Sequence, residues 1–319
     1  MHHLLVLAAG ASVILSAQVR LTYPAPPKST QVDDLHGVKI ADAYRSLEDA
    51  DAPATRKFVE QENELTFTWL AKIPGREAIR TKLTSLWNYE RFTALYKAGQ
   101  YFYRLNSGLQ NQAVVYTTDS LNGTPRVLLD PNTYRADGTA ALANEAVSWN
   151  GKLFAYAVAQ AGSDWDEWRV RDVATGKDLP DLVRWMKGYA ISWAADDSGF
   201  YYSRFPEPPA DKLLTATALN HKLCFHKLGD QQSADKLLYE RPEHPEWTLS
   251  PEVIEGGRYL VISLEPGEPG KNMLAFRDLS DPTAPIIELI PTPSTGTLRL
   301  QLPAPSCTCR PPIMRRRGA

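Results

Sequence analysis

The sequence predicts a mainly β protein: a partial β-propeller of about four blades, preceded by an α-helical N-terminal arm. Three observations carry this. First, a glycine turn leading into an aromatic strand occurs four times, as Tyr96-Lys-Ala-Gly-Gln-Tyr-Phe-Tyr103, Trp149-Asn-Gly-Lys-Leu-Phe-Ala-Tyr156, Asp197-Ser-Gly-Phe-Tyr-Tyr202 and Gly257-Arg-Tyr-Leu-Val-Ile262, with the turn glycines 52, 48 and 58 residues apart. Second, another hairpin follows each unit, as where Val114–Gly123 runs into Arg126–Asp130 and Arg169–Gly176 runs into Lys177–Leu179. Two hairpins make four strands, and four strands in roughly 40–50 residues is the signature of a propeller blade. Third, the apolar periodicity changes at Arg91, from helical spacing before it to strand patterning after it.

Bulk properties fit. At 319 residues the chain has room for two domains, and 43% apolar with 23% charged residues is ordinary for a globular protein. A net charge of −2 gives no reason to expect a nucleic-acid partner. Three cysteines, Cys224, Cys307 and Cys309, do not make a disulfide framework. Eight Trp and fourteen Tyr suit strands that pack aromatic side chains.

Residues 1–17 read as a secretory signal peptide. Leu4–Ala17 is an apolar run of 14 residues, too short to span a bilayer, with Ala17 as a cleavage point. The expected location is therefore secreted or periplasmic. Against this, only His2 and His3 precede the run, with no Lys or Arg; a mis-assigned start or a buried apolar segment is the alternative.

Residues 18–90 read as an extended segment and a helical arm. Thr22–Thr30 is proline-rich and extended. A helix follows, with Asp51 as its expected N-cap, Pro53 in its first turn and Phe58, Leu65, Trp69 and Leu70 near one face. Pro74-Gly75 ends it, and a second helix is predicted over about Arg76–Trp87 with Ile79, Leu83 and Leu86 in register. Residues 91–290 hold the four repeats. Residues 291–319 form an aberrant, disordered tail without Asp, Glu or aromatics, but with six prolines and five arginines. The repeat pattern stops at Ile287-Glu-Leu-Ile290, which reads as a shift of reading frame or a mis-assigned gene end; a natural basic disordered tail is the alternative.

Five segments of the first repeats carry a family resemblance: Gly108-Leu-Gln-Asn-Gln112, Asp119-Ser-Leu121, Leu129-Asp-Pro-Asn132, Asp137-Gly-Thr139 and Gly162-Ser-Asp-Trp165. They resemble the first blades of prolyl oligopeptidase, a family of serine peptidases, and the likeness runs from about Tyr23 to Ile290. Asp42-Ala-Tyr-Arg-Ser-Leu-Glu-Asp49 resembles a further family element, with Ala43 where proline is usual. The resemblance implies an α/β-hydrolase domain closed by a seven-bladed propeller that admits only short peptides, which are cut after proline. It implies acyl transfer by a serine, with a histidine moving the proton and an oxyanion hole holding the developing charge. It also implies that the helical arm packs on the hydrolase domain; alone, its apolar face lacks a partner. With four of seven blades, the ring is expected to be open, exposing apolar faces and strand edges.

The hydrolase domain itself is expected to be absent. Its nucleophile needs the G-x-S-x-G turn, and no two of the nineteen glycines are four apart. No catalytic residue is therefore assigned. Nor is a cofactor: G-x-G-x-x-G and G-x-x-x-x-G-K-[ST] are both missing. No metal ligand is assigned either. His221, Cys224 and His226 are close in sequence, but in a strand only Cys224 and His226 share a face, and Cys307-Thr-Cys309 has no second ligand pair.

Other residues invite a functional reading and have a plainer one. Asp164-Trp-Asp-Glu-Trp168 could rim a peptide site or simply be a turn and a packed strand. Asp119, Asp130, Asp137 and Asp172 read as turn caps. Asn122-Gly-Thr124 matches a glycosylation sequon and also a hairpin turn, and Arg315–Arg317 reads as a solvated tail.

The sequence thus reads as the N-terminal portion of a prolyl oligopeptidase-like endopeptidase, inactive by itself, with short proline-containing peptides as partners through the missing domain. The alternatives are a non-catalytic secreted propeller that binds a peptide or protein, which needs a closed ring, and a decayed product without function.

Overall fold

The computed structural model describes residues 21–160, 163–209, 216–267 and 271–295; the Leu4–Ala17 run, Gly162, the tail beyond Thr295, Cys307 and Cys309 lie outside them. The chain falls into two units, Met1–Leu86 and Trp87–Ala319.

The first unit opens with a hairpin, β1 (Val32–Leu35) and β2 (Val38–Ala41). Its turn places His36 and Gly37 at φ 55° and 85°, the doubly left-handed geometry of a tight hairpin, and Asp34 Oδ1 accepts from Gly37 N at 2.7 Å. Helix α1 (Pro53–Ala71) then begins one residue later than Asp51 would set it. The N-cap is Ala52, with no side-chain cap; Asp49 Oδ1 instead accepts from Asp51 N and Ala52 N, at 3.0 and 3.1 Å. Pro53 explains why Ala52 suffices. Its ring pre-sets the helical φ and removes one of the amides that a cap would satisfy.

Helix α2 (Arg76–Trp87) occupies the predicted residues after Gly75, which turns the chain at φ 80°. Thr55 is the sole fully buried residue of the two helices. Ile79, Leu83 and Leu86 share one face, 57–61% exposed, and Leu65, Trp69, Ile73 and Pro74 border an open groove of about 330 Å³. Ile79→Lys and Leu83→Lys should therefore each change stability by less than ~0.5 kcal/mol in thermal melts. A loss above ~1 kcal/mol, the size that follows from disturbing a buried apolar side chain, would mean the face is covered.

Among the described residues the second unit holds four antiparallel sheets in chain order. The first has β3 (Arg91–Phe92) and β4 (Tyr96–Ala98), both paired to β5 (Gln100–Asn106), then β6 (Val114–Thr118) and β7 (Arg126–Leu129). The second is β8 (Ala140–Val147), β9 (Leu153–Gln160), β10 (Asp166–Asp172) and β11 (Asp178–Met186). The third is β12 (Ser192–Trp193), β13 (Gly199–Arg204), β14 (Lys222–Lys227) and β15 (Lys236–Glu240). The fourth is β16 (Thr248–Ile254), β17 (Tyr259–Glu265), β18 (Lys271–Asp278) and β19 (Ile287–Thr295). Each is a meander, and each predicted repeat is one blade.

The fourth blade departs from expectation. Strand β19 stays paired out to Thr295, opposite Lys271, so the blade is complete rather than broken at Ile290. Pro291 and Pro293 are tolerated because β19 is an outermost strand, where a missing N–H need not cost a ladder bond.

Alternate residues of one strand serve two neighbours. On β9, Phe154, Tyr156 and Val158 pack with Phe102, Leu128 and Leu129 of the first blade, while Ala155 and Ala157 join Trp193, Phe200 and Tyr202 of the third. Leu223 of the third blade packs with Leu249, Leu260, Ile262 and Met273 of the fourth. Among the described residues no core cluster joins the fourth blade to the first, so the sheets form an open array, as the partial-ring reading expects.

The repeat glycines have differing reasons. A Cβ on Gly151 would lie 2.0 Å from the Ala98 carbonyl oxygen, and one on Gly99 would lie 2.4 Å from that of Asn150, so two blades touch backbone to backbone. A Cβ on Gly257 would lie 2.0 Å from Ala195 Cβ across the seam between the third and fourth blades. At the third repeat the left-handed residue is Asp197 (φ 55°), while Gly199 is needed because a Cβ would strike His226 O of its own blade, at 2.1 Å.

Candidate functional site

The residues that carry chemistry gather along the seams between blades. At the first seam, Arg104 and the Tyr96 hydroxyl converge on Glu145 of β8, at 3.2 and 3.5 Å. Farther out, Arg171 Nη1 donates to Leu128 O at 2.8 Å and its Nε pairs with Asp178 at 2.7 Å. The Tyr134 hydroxyl donates to that of Tyr156 at 3.0 Å, and the Tyr156 hydroxyl donates to Asp178 Oδ2 at 2.9 Å. Burial pushes the Tyr96 and Tyr156 hydroxyls well above the usual range, so neither is a ready proton donor to solvent.

The second seam is stitched at both ends. Near the inner strands, Trp193 Nε1 donates to Ala146 O and Trp149 Nε1 donates to Trp193 O, each at 3.1 Å. Asp197 accepts from Trp149 N and Asn150 N, at 2.7 and 3.1 Å, which caps the second blade's glycine turn with the third blade's carboxylate.

Near the outer strands lies His226, wholly buried, with Nδ1 2.8 Å from Asp235 Oδ1 and Nε2 3.1 Å from Asp181 Oδ1. The Tyr202 hydroxyl donates to Asp235 Oδ2 at 2.6 Å, and Gly229 N to Asp181 Oδ1 at 2.7 Å. Burial lowers the affinity of His226 for a proton, but the two carboxylates outweigh it and hold its pKa above the ordinary value.

A histidine beside a carboxylate is part of a hydrolytic triad, but this one is built differently. Both ring nitrogens face carboxylates, so none is left to take a proton from a hydroxyl, and no solvent reaches the ring. The arrangement holds blades together. Its sequence signal is faint, because Asp181 lies 45 residues from His226, about one repeat away.

The other residues singled out in the sequence resolve individually. His221 Nδ1 accepts from Leu249 N of the fourth blade at 2.9 Å, and burial pushes its pKa down to about 4. Cys224 is buried in the core of the second seam, where burial raises its thiol pKa. Cys224 and His226 therefore line the second seam while His221 faces the fourth blade, and among the described residues no group of three or more His, Cys, Asp or Glu side chains is placed to hold a metal.

In Asp164–Trp168, Trp168 is buried, Asp166 is buried and accepts from Gly188 N at 2.7 Å, and Glu167 pairs with Arg184 at 3.0 Å. Trp165 packs edge-on against Trp185 and Phe205, with Lys187 over its ring at 4.3 Å. Turn and strand packing thus accounts for the segment. The carboxylates of Asp130, Asp137 and Asp172 accept from the amides of Asn132, Thr139 and Thr175, as turn caps do. Asn122-Gly123 sits in the β6–β7 turn, where Gly123 N donates to Ser120 O at 3.0 Å.

Several segments of the family resemblance meet at one end of the first blade. Asn132 Oδ1 accepts from Gln112 N and its Nδ2 donates to Gln112 O, at 2.9 and 3.0 Å. A Cβ on Gly138 would strike the Asn111 side chain at 1.9 Å. These segments shape a connection between blades and carry no reactive group.

Comparison with known proteins gives a consistent result. Residues 23–301 match the profile described as prolyl oligopeptidase, N-terminal β-propeller domain. A prolyl endopeptidase of Elizabethkingia miricola is 39% identical over 280 residues, covering 86% of this chain and 39% of that protein. A prolyl oligopeptidase of Omphalotus olearius is 32% identical, covering 79% of this chain and 37% of its own length. Among solved structures, prolyl oligopeptidase B from Galerina marginata, bound to a 35mer hydrolysis and macrocyclization substrate, superposes with a TM-score of 0.74 at 27% identity over 85% of this chain and 41% of that one. The chain therefore spans about two-fifths of the length of the relatives it matches.

Proposed function

This chain belongs to the prolyl oligopeptidase family through its N-terminal β-propeller domain, and on that premise we propose that it is the propeller portion of a serine endopeptidase cutting short peptides after proline. In this reading the propeller is a filter. It admits short proline-containing peptides to the catalytic serine of a hydrolase domain and turns folded proteins away. The observation that carries the reading is the order of parts, a helical arm followed by four meander blades in an open array. Export to a secreted or periplasmic location belongs to the same proposal and is supported by the Leu4–Ala17 run alone. Among the described residues no helix is long and apolar enough to cross a membrane.

A chimera tests the filter. Residues 23–295 would replace the matching segment of the Elizabethkingia miricola enzyme. The chimera should cleave a short proline-containing peptide and leave the same sequence uncut inside a folded protein. Equal cleavage of both would contradict the filter.

The alternative, a non-catalytic closed module, needs the first and last blades to pack together. Among the described residues the core clusters join consecutive blades, and this gives it no support.

A further inference from the structure

We infer that the Asp181–His226–Asp235 cluster is a proton-dependent latch closing the outer rim of the seam between the second and third blades. Proton counting carries the inference. A neutral imidazole has one N–H, yet both His226 nitrogens lie within hydrogen-bonding distance of carboxylate oxygens. With one N–H, either Asp181 or Asp235 would face a ring lone pair, at 3.1 or 2.8 Å and closed off from bulk solvent. The three groups must therefore share one proton more than a neutral histidine and two carboxylates hold, whichever atom carries it.

The cluster joins distinct elements. Asp181 is on β11 of the second blade, His226 on β14 of the third, and Asp235 follows the short turn Gln232–Ala234. Gln232 extends the contact: its Oε1 accepts from Arg184 N at 3.1 Å, its Nε2 donates to Arg184 O at 3.0 Å and to the Tyr202 hydroxyl at 3.2 Å. The remaining titratable groups nearby are the Tyr202 hydroxyl and the Cys224 thiol, with Arg204 and Lys222 acting on that thiol; the Phe200 ring packs on the imidazole at 5.1 Å. Burial raises both Tyr202 and Cys224, so they stay neutral while the latch titrates. The inner end of the seam is held separately, by the hydrogen bonds of Trp149, Trp193 and Asp197.

The sign follows from the raised pKa of His226. The stabilising contribution is complete below the unfolded value, near pH 6.5, and is lost as pH rises through the folded value. Above that, two carboxylates face each other across a neutral ring and the rim loosens.

Side-chain NMR and amide exchange on the full chain test this between pH 5.5 and 9.5. The His226 imidazole should stay doubly protonated above the ordinary histidine value near pH 6.5. Exchange of the Gly229 and Arg184 amides, which bond across the rim, should rise severalfold more over that range than exchange of β9 amides. Asp181→Asn, which supplies a neutral partner, should flatten this difference. Loss of the second His226 proton at or below pH 6.5, or an identical exchange profile in wild type and D181N, would overturn the latch. The imidazole titration in wild type stands even if the variant folds poorly.

Discussion

Gly151→Ala is expected to destabilise the second unit by about 3 kcal/mol or more, enough to separate the first blade from the second. Two costs add. Gly151 sits at φ 72°, where a Cβ is disfavoured by about 1–2 kcal/mol. That Cβ would also lie 2.0 Å from Ala98 O and 2.9 Å from the Cα of Gly99, both backbone atoms of the facing blade, which cannot rotate away. Gly176→Ala is the control. It shares the left-handed geometry, at φ 68°, but has nothing within 4 Å of its would-be Cβ. It should cost only the conformational ~1–2 kcal/mol. Denaturant melts of the two variants separate blade-to-blade contact from turn geometry; equal losses would mean the blades do not touch there.

Trp193→Ala should cost about 4 kcal/mol, the usual range for emptying a buried aromatic site. The indole is buried between the second and third blades, edge-on to Phe200 at 5.5 Å, and its Nε1 donates to Ala146 O. Trp193→Phe keeps most of the packing and removes that donor, so the Ala146 carbonyl loses a buried partner at about 1–2 kcal/mol. Melting both variants apportions the seam between packing and hydrogen bonding. A Trp193→Phe loss as large as that of Trp193→Ala would show that the indole N–H, rather than the ring volume, holds the seam.

Much of the fold was legible in the sequence because blades are local. Each meander is specified by glycine or aspartate turns and aromatic strands within one repeat, so Gly99, Gly151 and Gly257 marked their hairpins without reference to the neighbours. The seams were not legible. Asp197 reaches Trp149 across 48 residues and Asp181 reaches His226 across 45, so the partners are set by the stacking of blades and not by any local pattern. The shared face of Cys224 and His226 was legible from strand alternation, and both line the second seam, whereas His221 turns to Leu249 of the fourth blade. At the helical arm, Asp51 fitted the N-cap rule, but Pro53 and the Asp49 carboxylate moved the start by one residue. At Pro291, composition signalled a break that an edge strand can absorb.

The most direct test of the proposed function is covalent. The purified chain and a full-length prolyl endopeptidase would each be treated with a fluorophosphonate that labels activated serines, and read by intact mass alongside turnover of a short proline-containing substrate. A stoichiometric adduct and turnover are expected for the full-length enzyme, and neither for this chain. An adduct on this chain, with turnover that the label abolishes, would contradict the proposal.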